Sequence, residues 1–222
     1  MIDWDDIDTV LLDMDGTLLD LHFDNFFWQE HLPRQYARKH QISEEQSSAH
    51  LEDQTRDNQG TLDWYCLDHW SRRLDMDIPA LKRELSHMIS LRPHVLEFLT
   101  RLHHSHRDVV MVTNAHPVTL EIKMEQVDIT RWFDRVVVSH DLASPKEERG
   151  FWEKLQSLHP FDPKRTLLID DTERVLDSAR EYGIAHLLTL LQPDSQRQKR
   201  LDTRFPGIHH FDEIMPAGTG TS

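Results

Sequence analysis

Two acids stand two residues apart in Val10-Leu11-Leu12-Asp13-Met14-Asp15-Gly16-Thr17, directly after a short apolar run. In an extended chain, side chains at i and i+2 share a face. Two carboxylates held that close repel, and one of them protonates more readily unless a cation is shared. Gly16 lets the chain leave the strand sharply and lets a ligand approach the backbone. Alone, Asp-x-Asp-Gly reads equally well as an acidic turn, because acid–glycine turns are common. Three further apolar runs change the weighting. One ends in Thr113-Asn114, which offers a hydroxyl and an amide to phosphate oxygens. Another is followed after a short loop by Lys146, a source of positive charge. The last ends in Asp170-Asp171, a second carboxylate pair. Acids from two strands with other oxygen donors suit Mg²⁺, which prefers oxygen and keeps several waters.

These residues need a scaffold that brings strand ends together. Thr9 to Asp13, Val109 to Thr113, Val136 to Ser139, Thr166 to Asp170 and His186 to Leu190 read as short buried strands. Helical patterns alternate with them. Val95, Phe98, Leu99 and Leu102 recur at i, i+3, i+4 and i+7, with Pro93 placed for the first helical position. Thr172 is placed to cap the helix carrying Val175, Leu176 and Ala179, and Gly183 to stop it. The pattern predicts an α/β fold: a doubly wound parallel sheet covered on both faces. Ligands then bind beyond the carboxyl ends of the strands, where strand order reverses.

Residues 21–90 break this rhythm and hold no convincing strand. Ser43-Glu44-Glu45-Gln46 is a capping-box pattern, and Leu62–Leu74 and Pro79–Met88 read as further helices. The expected organisation is an α/β core of residues 1–20 and 91–216, a helical insertion over 21–90, and a small polar tail, 217–222, that frays.

The 222 residues carry 25 Lys+Arg against 39 Asp+Glu, a formal net charge of −14. Such acidity argues against a nucleic-acid polymer, whose phosphates select basic faces. It leaves room for a small phosphorylated ligand held by one local cation. The apolar runs are too short for a membrane span, which needs roughly 18 residues, and the start Met1-Ile2-Asp3-Trp4-Asp5-Asp6 is acidic where an export signal is basic. With Cys66 the single cysteine, no intramolecular disulfide can form. These features predict a cytoplasmic protein without a membrane partner.

In this order, Asp-x-Asp-Gly-Thr, Thr-Asn, Lys and Asp-Asp resemble the four motifs of the haloacid dehalogenase (HAD) superfamily of phosphohydrolases. The likeness runs from about residue 9 to 191. Leu18 to Asn25, Ser144-Pro145-Lys146-Glu147-Glu148 and Ile169 to Leu176 resemble the superfamily's bacterial GMP/IMP nucleotidases. The resemblance implies a HAD-like core with residues 21–90 as a four-helix cap. It makes Asp13 the nucleophile that forms an aspartyl-phosphate, and Asp15 the acid for the leaving alcohol and then the base for water. Thr113 and the Asn114 amide would hold phosphoryl oxygens, with Lys146 pairing with both Asp13 and the phosphoryl group. Asp13, the Asp15 carbonyl and Asp171 would bind Mg²⁺, or Mn²⁺ or Co²⁺ in its place, with Asp170 in support. The implied substrate is a small phosphorylated metabolite, a purine 5′-mononucleotide. The family often has another acid three or four residues beyond the pair; here Arg174 and Val175 stand there, so water would fill more of the metal's shell. Asp177 lies more than a helical turn away and is not counted.

Other conspicuous residues have plainer readings. His103-His104-x-His106 sits at an expected helix end, where positive charge is favoured, and neither it nor His209-His210 has zinc-site spacing. His22, at the entry to the insertion, is a candidate for closing over substrate. Trp28, Trp64 and Tyr65 could stack on a purine, although an insertion of this size also needs aromatics for its own core, as Trp70 and Phe26 suggest. Cys66 reads as a small buried residue, and Arg34, Arg72 and Arg73 as solvated faces. Asp15 argues against a dehalogenase, which lacks the second acid. A sugar phosphatase or phosphomutase shares all four motifs. A phosphoacceptor signalling module ranks below these, because its phosphorylated Asp ends the third strand, where Ser139 stands here.

Overall fold

A computed structural model describes residues 2–56 and 58–216. Six strands form one parallel sheet in the order β3-β2-β1-β4-β5-β6. They are β1 (Thr9–Leu12), β2 (Asp108–Thr113), β3 (Arg135–Val138), β4 (Thr166–Ile169), β5 (His186–Leu190) and β6 (Gly207–Ile208). Five match the sequence reading. The two-residue β6 was not foreseen, being too short to show a period. Register is set at the centre: Leu12 lies opposite Met111 of β2 on one side and Ile169 of β4 on the other. The direction of strand addition therefore reverses between β1 and β4, and the side chains just past both strands meet at the reversal.

Period-two alternation sorts the core into two layers. Val10, Leu12, Val109, Met111, Leu167 and Ile169 face one side, which α7 (Val95–His103) and α8 (Pro117–Val127) help to cover. Leu11, Val110, Val112 and Leu168 face the other, against Phe151, Trp152 and Leu155 of α9 (Arg149–Leu158) and Val175, Leu176 and Ala179 of α10 (Glu173–Tyr182). Apolar side chains on both faces explain why the strands read as unbroken hydrophobic runs.

Between β1 and α7 the chain is helical. Helix α1 (His22–Phe26) runs through a π turn at Phe27–His31 into α2 (Leu32–His40), followed by α3 (Glu44–Arg56), α4 (Leu62–Tyr65), α5 (Leu67–Leu74) and α6 (Ile78–Glu84). Ser43 and Gln46 close the expected capping box at 3.1 and 3.2 Å. The helix expected over Leu62–Leu74 is broken at Cys66, whose extended backbone (φ −81°, ψ 110°) starts α5 afresh. The one expected over Pro79–Met88 starts at Ile78, capped by Asp77, and gives way to a 3₁₀ turn after Glu84. Pro93 does not open α7: His94 intervenes with φ 65°, so the helix begins at Val95. Thr172 occupies the cap position of α10, but its hydroxyl turns to Asp171 instead of the helix.

The entry and exit of this helical segment run side by side. Asp20 N–H donates to Ser90 C=O and Arg92 N–H to Leu18 C=O, both at 3.0 Å. Among the described residues no helix is long and apolar enough to cross a membrane. The expected tail, 217–222, lies outside the described residues.

Candidate active site

Asp13 is the first residue past β1, fixed by its N–H to Ile169 C=O at 3.0 Å. Its Oδ1 accepts from Lys146 Nζ at 2.6 Å. Its Oδ2 is buried and has no hydrogen-bond partner among the described residues. An unpartnered buried carboxylate oxygen is costly, so this atom marks where a ligand belongs. Lys146, itself 2% exposed, also donates to Asp170 Oδ2 at 2.7 Å and to Val112 C=O at 3.1 Å. Two carboxylates outweigh burial and raise its pKa, so it stays charged.

Asp170 and Asp171 end β4 and differ in what they have to spare. Asp170 accepts from Lys146 on one oxygen and from Thr172 N–H at 2.9 Å on the other. Asp171 accepts only a 3.2 Å bond from the Thr172 hydroxyl, with Arg200 3.7 Å from its second oxygen. Burial pushes the Asp171 carboxyl up to about 7, with Asp13 reinforcing the shift, and raises that of Asp170 well above the usual range.

One oxygen each from Asp13, Asp170 and Asp171 lie within 4.8 Å of one another. Three carboxylates face a single ammonium there, and all the donors are hard oxygens. A divalent cation of the Mg²⁺ type fits both the charge and the donor set. Asp171, with the freer oxygens, is better placed to ligate than Asp170. Gly16 is required beside it: its φ is 84°, and a methyl there would lie 2.6 Å from Asp171 Oδ2.

Asp15 faces the other way, into a line of charge absent from the sequence reading. Its Oδ1 accepts from Lys123 of α8, which also donates to Asp24 Oδ2 of α1 at 2.5 Å. Asp24 Oδ1 in turn accepts from Lys82 of α6 at 2.7 Å. Both lysines are 1% exposed, and Lys82 lies 4.7 and 4.9 Å from the centres of the Phe27 and Phe23 rings. Burial pushes Asp15 up to about 6 despite Lys123. Burial also opposes the Asp24 charge, but Lys123 and Lys82 outweigh it and hold that carboxyl low. The row Asp15–Lys123–Asp24–Lys82 thus ties the first strand end to the helical segment.

The other expected residues divide. Thr113 lies at the end of β2, its Oγ1 accepting from Ala115 N–H at 3.0 Å, which leaves the hydroxyl proton free to donate. The Asn114 side chain is committed instead of open: Oδ1 accepts from Lys146 N–H at 3.0 Å and Nδ2 donates to Glu147 Oε2 at 2.8 Å. Through these two bonds it sets the Lys146 loop. His22 does not join the group; its ring sits 3.5 Å from Asp194 and against Phe26. Asp177 pairs with Arg180 and Arg204, away from the site. Glu147 binds Tyr65 of the helical segment, whose hydroxyl donates to Oε1 at 2.6 Å.

Two adjoining cavities open over these residues. The inner, about 210 Å³, is lined by Asp13, Asp15, Thr113, Asn114, Lys146 and Asp171 among others. The outer, also about 210 Å³, is lined mainly by the helical segment, including Trp28, Trp64, Tyr65 and Trp70. They share Asp15, Leu21, Trp64, Tyr65 and Ala115. Trp70 is 1% exposed and belongs to the core; Trp28 and Trp64 pack against that core and line the outer cavity as well.

The parallel sheet with acids at its reversal defines the class, and comparison gives its family. Residues 10–189 match the haloacid dehalogenase-like hydrolases, and the chain belongs to that family. It is 38% identical over 216 residues, 97% of each chain, to the GMP/IMP nucleotidase YrfG of Escherichia coli K12, and equally to the protein of that name from Shigella flexneri. Among solved structures it resembles a HAD phosphatase from Thermococcus onnurineus, with a TM-score of 0.77 and 17% identity over 94% of this chain and 96% of that one. It also resembles the HAD hydrolase YfnB from Bacillus subtilis bound to magnesium, with a TM-score of 0.66 and 16% identity over the same shares.

Proposed function

We propose that this hydrolase uses Mg²⁺ to release phosphate from purine 5′-mononucleotides, GMP and IMP, through a phosphoryl group carried on Asp13. It is a phosphoric monoester hydrolase. The observation that carries the reading is Asp13 Oδ2, buried and unpartnered at the floor of the inner cavity while Lys146 anchors the other oxygen.

Asp13 Oδ2 is the atom positioned to attack phosphorus, forming an O–P bond as the bond to the nucleoside oxygen breaks. Asp15 hands its proton to that leaving oxygen, then takes one from water as water displaces the phosphoryl group from Asp13. The Thr113 hydroxyl donates to a phosphoryl oxygen, and Lys146 offsets the charge that gathers between carboxylate and phosphate. Asn114 acts through Lys146, by fixing its loop. Asp13, Asp171 and the Asp15 carbonyl would hold Mg²⁺, which supplies further neutralisation of the phosphate dianion.

Residues 21–90 serve in this reading as a cap on the α/β core, hinged at the paired strands of chain near Leu18–Asp20 and Ser90–Arg92. The outer cavity takes the base, with Trp28 and Trp64 as its aromatic walls. The relationship at 38% identity to proteins named GMP/IMP nucleotidase supports this substrate class.

A panel of phosphorylated metabolites, assayed for phosphate release with Mg²⁺, tests the reading. GMP and IMP should lead it; preference for sugar phosphates would overturn the nucleotide assignment. EDTA should silence release and added Mg²⁺ restore it, whereas full activity in chelator would remove Asp13 and Asp171 as metal ligands. Trp28→Ala is the cleaner probe of the base, since Tyr65 also holds Glu147. Loss of one stacking partner is worth about 1–3 kcal/mol. kcat/KM for GMP should therefore fall roughly 5–150-fold, with little change for p-nitrophenyl phosphate. Equal losses on both substrates would place the base elsewhere.

A further inference from the structure

A second cluster of ligating side chains lies where the helical segment meets the sheet. Cys66 stands between α4 and α5, His116 at the start of α8 just past β2, and His140 just past β3. One ligand atom from each lies within 4.8 Å of the other two. Cys66 is not fully buried, as the sequence reading expected, but partly exposed. The two imidazoles meet edge to face with centroids 5.0 Å apart.

The His140 ring is left wanting. Both of its nitrogens are buried and neither makes a well-formed hydrogen bond among the described residues; the nearby Leu62 carbonyl and two acids only partly favour its charged form. An imidazole has one donor and one acceptor nitrogen, and burying both without partners is costly. His116 has weak partners: Nδ1 accepts from Val118 N–H at 3.3 Å, and Nε2 lies 3.9 Å from Asp68. A metal on either nitrogen displaces little. Burial, the leading influence on both rings, keeps them neutral, the form that ligates.

We infer that Cys66, His116 and His140 form a binding site for a thiophilic divalent ion, Zn²⁺ by preference, that pins the helical segment to the core beside the outer cavity. One sulfur and two nitrogens suit zinc, and are the wrong donors for Mg²⁺. Bonds of about 2.0–2.3 Å place ligand atoms on tetrahedral zinc roughly 3.3–3.8 Å apart. Side-chain movements of about 1 Å close the present spacing. Asp68 or a water fills the fourth position. Binding releases the thiol proton as the S–Zn bond forms, with no change of oxidation state. Cys66 comes from the helical segment and both histidines from the sheet's loops, so on the cap reading proposed above, in which these elements separate to admit substrate, the bound ion holds them together. Zn²⁺ therefore slows turnover.

Cobalt(II) reports the site without reference to activity. Titrated into the whole protein in excess Mg²⁺, it should give a thiolate-to-cobalt charge-transfer band and intense tetrahedral ligand-field bands, both displaced by one equivalent of Zn²⁺. Cobalt at Asp13 and Asp171, with oxygen ligands alone, gives no thiolate band, so the outcome is independent of the Mg²⁺ reading. Cys66→Ser should abolish the band. His140→Asn should weaken cobalt binding at least about 100-fold. Both variants should keep the metal-free melting temperature and Mg²⁺-supported hydrolysis of p-nitrophenyl phosphate, and lose inhibition by micromolar Zn²⁺. A wild-type protein without the thiolate band would overturn the inference, as would undiminished affinity in His140→Asn or undiminished zinc inhibition in Cys66→Ser.

Discussion

Asp13→Asn should lower kcat for GMP by about 10⁴-fold or more, the scale seen when a covalent nucleophile is removed. The amide matches the carboxylate in shape and Lys146 keeps Asp170 and the Val112 carbonyl, so the fold should survive, as far-UV circular dichroism will show. The effect follows from the asymmetry of the two oxygens. Oδ1 is committed to Lys146 and Oδ2 to nothing, so only one atom is free to attack. A variant that turns over at the wild-type rate would remove Asp13 from the chemistry.

Lys123→Met has the next largest expected effect, through a residue that touches no reacting atom. Lys123 is the shared cation of Asp15 and Asp24. Without it Asp15 loses a cation while Asp24 keeps Lys82; breaking a fully buried pair costs about 3–5 kcal/mol, and partial exposure of both carboxylates makes the loss here smaller, read as a lower melting temperature. If its catalytic role is to position Asp15 as proton donor, the loss depends on the leaving group. General acid catalysis contributes typically 10²–10⁴-fold, and matters most when the leaving alkoxide is poor. kcat/KM, which covers steps through phosphoryl transfer, should fall about 10²-fold or more for GMP and much less for p-nitrophenyl phosphate, whose phenolate leaves unaided. Equal falls on both would reduce Lys123 to a structural support.

Strand ends were legible because four of the five buried runs stop at a polar residue, and a parallel sheet brings such ends together. Lys146 was legible for the same reason, as the first lysine or arginine after β3. The row Lys123–Asp24–Lys82 was hidden because lysine on a helix ordinarily marks a solvated face. A signal existed: Lys82 stands four residues after the fully buried Ile78, and Lys123 beside buried Ile122 and four after buried Thr119. A lysine at a core-facing position must find buried carboxylates. Asn114 is legible by type and place as a phosphate contact, but its bonds to the Lys146 N–H and Glu147, which lie 32 and 33 residues later in the chain, are not. His22 likewise found Asp194, far along the sequence. The break at Cys66 was invisible because both flanking helices share one apolar period.

The central claim is that phosphorus bonds to Asp13 during turnover. Wild-type protein mixed with saturating GMP and Mg²⁺, quenched in acid within one turnover and mapped by peptide mass spectrometry, reads this directly. The account predicts a peptide spanning Asp13 heavier by one phosphoryl group, with the modification on that residue and absent from Asp13→Asn. A phosphoryl group on any other side chain, or none at any time while phosphate is released, would contradict it.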